Sequence, residues 1–240
     1  MLRAEGLTKR YEEVEALTDL ELEVRPGEVY CLLGPNGAGK STTMNLFLGF
    51  TAPTAGRAWV CGLDVAYHPI ESKRHLAYIP EQVHLYPHLS GAENLEYFAS
   101  LGGSAVAGPE IEGLLAQVGL PRAAIHRRSG EYSKGMRQKV GLAIAVAKRA
   151  RALLLDEPTS GLDPRASFEF SRLVRGMCDE GVAVLMATHD LFRARDLANR
   201  IGILCAGRLV WEGAGADFTG EDLERIYLAH VRRAAEEASA

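Results

Sequence analysis

Leu20, Leu22 and Val24 alternate with Glu21, Glu23 and Arg25, the two-residue period of a strand with one wet face. Pro26-Gly27 turns the chain into Glu28 to Leu33, an apolar run that reads as a short buried strand, and Leu2 to Leu7 makes a partner for the first strand. Lys40 to Leu48 reads as the first turns of a helix. Thr54-Ala55-Gly56 then turns into Arg57 to Cys61, predicted to complete an antiparallel sheet with the N-terminal strands. Leu76 to Ile79 reads as a core strand stopped by Pro80.

From about residue 83 to 150 the pattern becomes helical, punctuated by Gly and Pro. Ser90-Gly91-Ala92-Glu93 has capping-box form ahead of Leu95, Tyr97 and Phe98. Ile111, Leu114, Leu115 and Val118 share one face of a helix predicted from Glu110 to about Val118. Ser133 is a good N-cap for a third helix, Lys134 to Arg149. Strand character returns at Ala152 to Leu155. Asp163-Pro164 opens an amphipathic helix with Phe170, Leu173, Val174 and Met177 inward, and Val182 to Ala187 is a further buried strand. Ile201 to Cys205 and Arg208 to Trp211 read as a closing hairpin, Thr219 to His230 as an amphipathic helix, and Arg232 to Ala240 as a frayed tail.

The fold class that follows is α/β. Gly34 to Ser41, which fit the phosphate-loop pattern G-x-x-x-x-G-K-[ST], make its core that of a P-loop NTPase, with a mostly parallel sheet, an N-terminal antiparallel β subdomain and an inserted α-helical subdomain. The expected layout is a core from 1–82 and 151–218, a helical subdomain at 83–150, and a short C-terminal helix and tail at 219–240. At 240 residues and 47% hydrophobic content the chain can bury a real core, which excludes disorder. A net charge of −4 gives no global field to recruit nucleic acid or anionic lipid. The start lacks the apolar core of a secretory signal, and Val140 to Ala147, the longest apolar run, falls short of the ~18 residues that span a bilayer. Cys31, Cys61, Cys178 and Cys205 have no C-x-x-C spacing and read as free thiols of a reducing cytosol.

The chemistry centres on Gly34-Pro35-Asn36-Gly37-Ala38-Gly39-Lys40-Ser41, which fits G-x-x-x-x-G-K-[ST] between a strand and a helix. Its glycines let successive N–H groups converge on phosphate oxygens, and the helix N-terminus adds its positive dipole end. Lys40 would reach the β- and γ-phosphates and the Ser41 hydroxyl would ligate Mg²⁺. The apolar run ending in Asp156-Glu157 puts two acids at the C-terminal edge of a buried parallel strand, where ligands bind in open α/β sheets. There Asp156 would hold Mg²⁺ and Glu157 would act as general base for the attacking water. The next strand delivers Thr188-His189-Asp190 to the same edge, with His189 read as a γ-phosphate sensor. Glu81 and Gln82 follow Pro80, where a polar side chain would face the γ-phosphate. Tyr11 would stack on a purine base or sit half-buried between strands; the sequence leaves both open. Pro87 argues against a helical metal pair of His84 and His88.

Taken in order, these segments resemble the ATP-binding subunit of an ABC transporter over about residues 2 to 215. Tyr11 matches the aromatic A-loop, Gly34 to Ser41 the Walker A loop and Glu81 the Q-loop position. Tyr132-Ser133-Lys134-Gly135-Met136 matches the signature, Leu153 to Glu157 the Walker B strand, Ser160-Gly161-Leu162-Asp163 the D-loop and His189 the switch histidine. The chain departs from the pattern in the signature, with Lys134 for the first glycine and Met136 for the glutamine of Leu-Ser-Gly-Gly-Gln. It departs again at Glu81, where the pattern has glutamine. Both variants are similar to those of the ABC-2 type export subfamily. The resemblance implies ATP and Mg²⁺ as cofactors. It places nucleotide contacts along Tyr11, Gly34 to Ser41 and Thr42, and from a second subunit through Ser133, Lys134, Gly135 and Asp163. Glu81 is left with a metal contact that its charge opposes at the phosphate. It also implies a homo- or heterodimer of ATPase subunits on transmembrane permease subunits at the cytoplasmic face of the cell membrane, with no nucleic acid. The alternative is an ABC ATPase without a membrane partner, acting as a scaffold or assembly factor. A P-loop kinase or GTPase would leave Tyr132 to Met136 and His189 without a purpose.

Overall fold

The computed structural model describes residues 1–215 and 220–237. Its strands form two sheets. The first is antiparallel, in the order β2-β1-β4-β5, from β1 (Leu2–Tyr11), β2 (Val14–Val24), β4 (Ala55–Val60) and β5 (Leu63–Asp64). The second runs β10-β9-β3-β8-β7-β6, from β3 (Val29–Leu33), β6 (Leu76–Ile79), β7 (Ala152–Asp156), β8 (Ala183–Thr188), β9 (Arg200–Cys205) and β10 (Arg208–Ala214). Every neighbouring pair in it is parallel except the β9–β10 edge hairpin.

Burial explains the layering. Along β3 every residue is buried, but Val29, Cys31 and Leu33 face one core while Tyr30 and Leu32 face the other. The same alternation runs through β7 and β8, so the parallel sheet is covered on both faces, as its near-continuous apolar strands require. One face packs on the antiparallel sheet and α1 (Lys40–Phe47), through Leu2, Leu20, Met44, Phe47 and Val60. The other packs on the helices α3 (Gly91–Leu101), α4 (Gly108–Gln117), α5 (Lys134–Ala147), α6 (Pro164–Asp179), α7 (Leu191–Leu197) and α8 (Gly220–Glu237). The short α2 (Pro69–Arg74) links β5 to β6.

Several boundaries differ from the sequence reading. β1 runs on to Tyr11 because irregularities in its register with β2 let the pairing continue past Leu7. β4 begins at Ala55 and takes up the predicted turn. α5 ends at Ala147, with Arg149 in a left-handed conformation at φ 53°. α8 extends to Glu237, so Arg232 to Glu237 are helical and not a frayed tail. Thr219 and residues 238–240 lie outside the described residues. Among the described residues no helix is long and apolar enough to cross a membrane.

Candidate active site

The loop from Gly34 to Gly39 hangs between the end of β3 and the start of α1, and its shape is enforced by close approach. A Cβ at Gly34 would sit 2.3 Å from the Leu204 carbonyl oxygen, and one at Gly39, where φ is 108°, would sit 2.5 Å from that of Ala16. Only glycine fits either position. Pro35 to Thr42, together with Val14 to Ala16, Glu81, Asp156, Glu157 and Ala206, line a cavity of about 560 Å³. The structure thus brings the glycine loop from Pro35 onward and three of the expected acids into one wall.

Lys40 is buried, and its ammonium donates to the carbonyl oxygens of Gly34 at 2.5 Å and Pro35 at 3.0 Å. Burial holds its pKa below the ordinary lysine value, opposed by the negative charges of Glu157 and Asp156. Asp156 shows the converse: burial raises its pKa, Glu157 adds to that, and the Tyr78 hydroxyl and Lys40 work against it. That hydroxyl lies 3.5 Å from Asp156 Oδ2, and burial with the Asp156 charge pushes Tyr78 itself up to about 12. At Asp156 burial and the neighbouring acid outweigh the Lys40 charge.

Glu157 is the most constrained of the group. Its backbone is left-handed, with φ 45°, and its N–H donates to the Ala187 carbonyl at 2.9 Å. Its carboxylate is clamped to the end of β8: Oε2 accepts from Thr188 Oγ1 at 2.8 Å, and Oε1 pairs with His189 Nδ1 at 2.7 Å. Thr188 in turn accepts from the Gly34 N–H through its carbonyl, at 3.3 Å, so the strand that holds Glu157 also holds the phosphate loop. A strained non-glycine residue, fixed on both carboxylate oxygens beside the glycine-loop cavity, is the arrangement expected of a group that handles water.

The other expected residues are placed apart from this wall. Tyr11 pairs with Val14 across the β1–β2 hairpin, 43% exposed, with the Lys9 ammonium 4.7 Å above its ring. Ser133 caps α5 by accepting from the Met136 N–H at 3.3 Å, and Asp163 caps α6 through the Ala166 N–H at 2.9 Å. Ser133, Lys134, Gly135 and Asp163 are absent from the cavity lining, and His189 reaches it only through Glu157. Glu81 lines it, but its Oε1 is taken by the Ser160 hydroxyl at 2.9 Å. Sequence reasoning gives no contact role to Thr188, Tyr78 or Ser160. Thr188 is the findable one, because it precedes His189 on the same strand end and a threonine there has a hydroxyl to give.

The model of the family described as ABC transporter matches residues 17–160. The chain is 35% identical over 224 residues to the uncharacterized ABC transporter ATP-binding protein YdbJ of Bacillus subtilis (strain 168), covering 92% of this chain and 72% of the relative. It is 39% identical over 228 residues to the daunorubicin resistance ATP-binding protein DrrA2 of Streptomyces coeruleorubidus, covering 94% and 69%. With the probable multidrug ABC transporter ATP-binding protein YbhF of Escherichia coli (strain K12) the identity is 33%, over 92% of this chain but 38% of the relative. Among solved structures, one described as the ATP-binding subunit of an ABC transporter superposes with a TM-score of 0.83 at 30% identity, covering 95% of this chain and 98% of that one. The dimeric ATP-binding cassette MJ0796 bound to ADP and Pi gives 0.78 at 25% identity, covering 89% and 98%. With the phosphate loop, the acid pair and the matching fold in one molecule, the chain belongs to the ABC transporter family as one of its ATP-binding subunits, an ATPase.

Proposed function

We propose that this chain powers an ABC transporter of the ABC-2 export type by ATP-driven closure of a dimer. One observation supports it above all: the glycine loop, Asp156 and Glu157 share one cavity wall, while Ser133, Lys134 and Gly135 of the same chain lie outside it. The chain holds half a site. Residues 133–135 of a second ATPase subunit, identical or not, would supply the missing half. The names of the drug-resistance and multidrug relatives support an export role, and the dimeric cassette supports pairing.

In this reading the backbone N–H groups from Asn36 to Thr42 cradle the phosphates, and Lys40 leaves its loop carbonyls for the β- and γ-phosphate oxygens. Asp156 and Ser41 fit Mg²⁺: Asp156 is a half-buried carboxylate beside a second acid, Glu157, and Ser41 is a hard oxygen donor lining the same cavity. When bound, the ion would neutralise charge on the phosphates. Glu157 takes the proton of the attacking water, and His189 and Thr188 keep its carboxylate on that line. Tyr11, at the hairpin edge, stacks on the base, and Asp163 meets the second subunit. Transmembrane permease subunits would dock on the helical face near Glu81, holding the chain at the cytoplasmic face of the membrane.

Glu157→Gln separates binding from hydrolysis. Turnover should fall about 10²-fold or more, the scale of a lost general base, while ATP is still bound and the variant elutes as an ATP-dependent dimer on gel filtration. Wild-type turnover in that variant would remove Glu157 as base, and a monomer at saturating ATP would count against closure.

A further inference from the structure

Glu81 and Lys134, two positions that depart from the family pattern, touch each other. Lys134 Nζ lies 3.6 Å from Glu81 Oε1, the same oxygen that accepts from Ser160 Oγ at 2.9 Å. Lys134 is the first residue of α5, next to its cap Ser133. From the same helix, Gln138 Nε2 donates to the Glu81 carbonyl at 3.2 Å, so the Glu81 turn is tied to α5 through backbone as well as side chain. Ser160 belongs to the turn after Glu157, where its N–H donates to the Glu157 carbonyl at 3.1 Å. A single carboxylate therefore joins the end of β6, the start of α5 and the turn that sets the left-handed Glu157.

The electrostatics give the pair its purpose. Glu81 lines the phosphate cavity, where a bare carboxylate repels the anion that the loop is built to hold. An ammonium 3.6 Å from it turns that charge into a short dipole, whose field falls off faster with distance than that of a bare carboxylate. An amide at position 81 would need no such partner, and a glycine at position 134 would offer none. The pair is half-exposed, with the lysine side chain 28% and the glutamate 49% accessible, so it adds little to fold stability.

We propose that Glu81 and Lys134 are a matched pair of positioning residues. Lys134 neutralises Glu81 at the phosphate cavity, and Glu81, so neutralised, holds Ser160 and with it the turn that aims Glu157. This rests on the reading of the cavity as the ATP site.

The test is a double-mutant cycle of Lys134→Met, Glu81→Gln and both together, read by calorimetry with Mg-ATP, by KM and kcat for ATP hydrolysis, and by thermal melting. Lys134→Met keeps the side-chain stem and removes the charge. It should weaken ATP binding and raise KM about threefold to tenfold, toward the lower end of the coupling between groups in contact. In the Glu81→Gln background the same change should cost markedly less in both readouts, so that the two substitutions are not additive. The Lys134→Met penalty should shrink at high salt, and melting temperatures should stay together across the set. Ser160→Ala should lower kcat while leaving KM unchanged. A Lys134→Met penalty that is the same with Glu81 present as in the Glu81→Gln variant would overturn the pairing, as would no penalty in either. Coupling seen in melting but not in nucleotide binding would overturn the role at the cavity and leave the pair structural only. A wild-type chain that binds no ATP would overturn the site reading and this inference with it, whereas a wild-type chain that binds ATP but shows no coupling would overturn this inference alone.

Discussion

At the scale of single residues, the site stores free energy in groups held against their preference. Asp156 is the clearest, raised by burial and then by Glu157. A carboxyl whose folded pKa lies above its unfolded value stabilises the fold fully below the unfolded pKa, and that contribution is lost as pH rises through the folded one. At neutral pH the ionised Asp156 is therefore a cost to the fold, one that nucleotide and cation would offset in the proposed function. Asp156→Asn should melt higher than wild type without nucleotide at pH 7, with the gap closing as pH falls toward roughly 4, where an unfolded carboxyl takes up its proton. In the same variant Mg-ATP should raise the melting temperature less than in wild type. A variant that melts lower than wild type at pH 7 would show that Asp156 is structural. The acids and the glycine loop were legible in the sequence because their spacing is a chemical requirement. The partner of each was not: that Thr188 clamps Glu157, or that Ser160 binds Glu81, depends on where a β-strand ends and a turn folds back, which no local pattern encodes.

At the scale of elements, the helices are set by their caps. Ser90 and Glu93 form a full capping box at the start of α3, with the Glu93 N–H donating to Ser90 Oγ at 3.2 Å and the Ser90 N–H donating to Glu93 Oε2 at 2.7 Å. Hydrogen bonds from the Ser90 backbone and hydroxyl hold the Glu93 carboxyl below the usual carboxylate range. Ser90→Ala should cost about 1 kcal/mol, the usual worth of an N-cap, and lower the melting temperature by roughly 2–4 °C for a domain of this size. Calorimetric affinity for ATP should not change, since α3 contributes nothing to the cavity wall; a weakened affinity would mean that the helical layer shapes the site. This capping box was readable in advance, as was the cap at Ser133, because N-cap chemistry is local. Strand ends were read less well. β1 outran its expected end because its irregular pairing with β2 is a property of two strands together, and β5, α2 and α7 are too short to leave a period in the sequence.

At the scale of the whole molecule, the mostly parallel sheet, the antiparallel sheet beside it and the helical layer were legible from alternating and continuous apolar runs. The order of strands in the larger sheet was not, since pairing β3 with β8 and β9 joins segments far apart in the chain. That order puts β3 inside the sheet with its residues divided between two cores. Neither the helical layer nor the antiparallel sheet can lift away without uncovering part of the strand that carries the phosphate loop. In deuterated solvent the amides of Cys31 and Leu32 should therefore exchange only through global opening, later than those of α3 or β10, as mass spectrometry of peptic fragments would show. Protection of β3 that matched that of α3 would mean the layers open separately. The root of the glycine loop is thus locked between two cores, so turnover at the mouth of the site need not loosen the molecule beneath it.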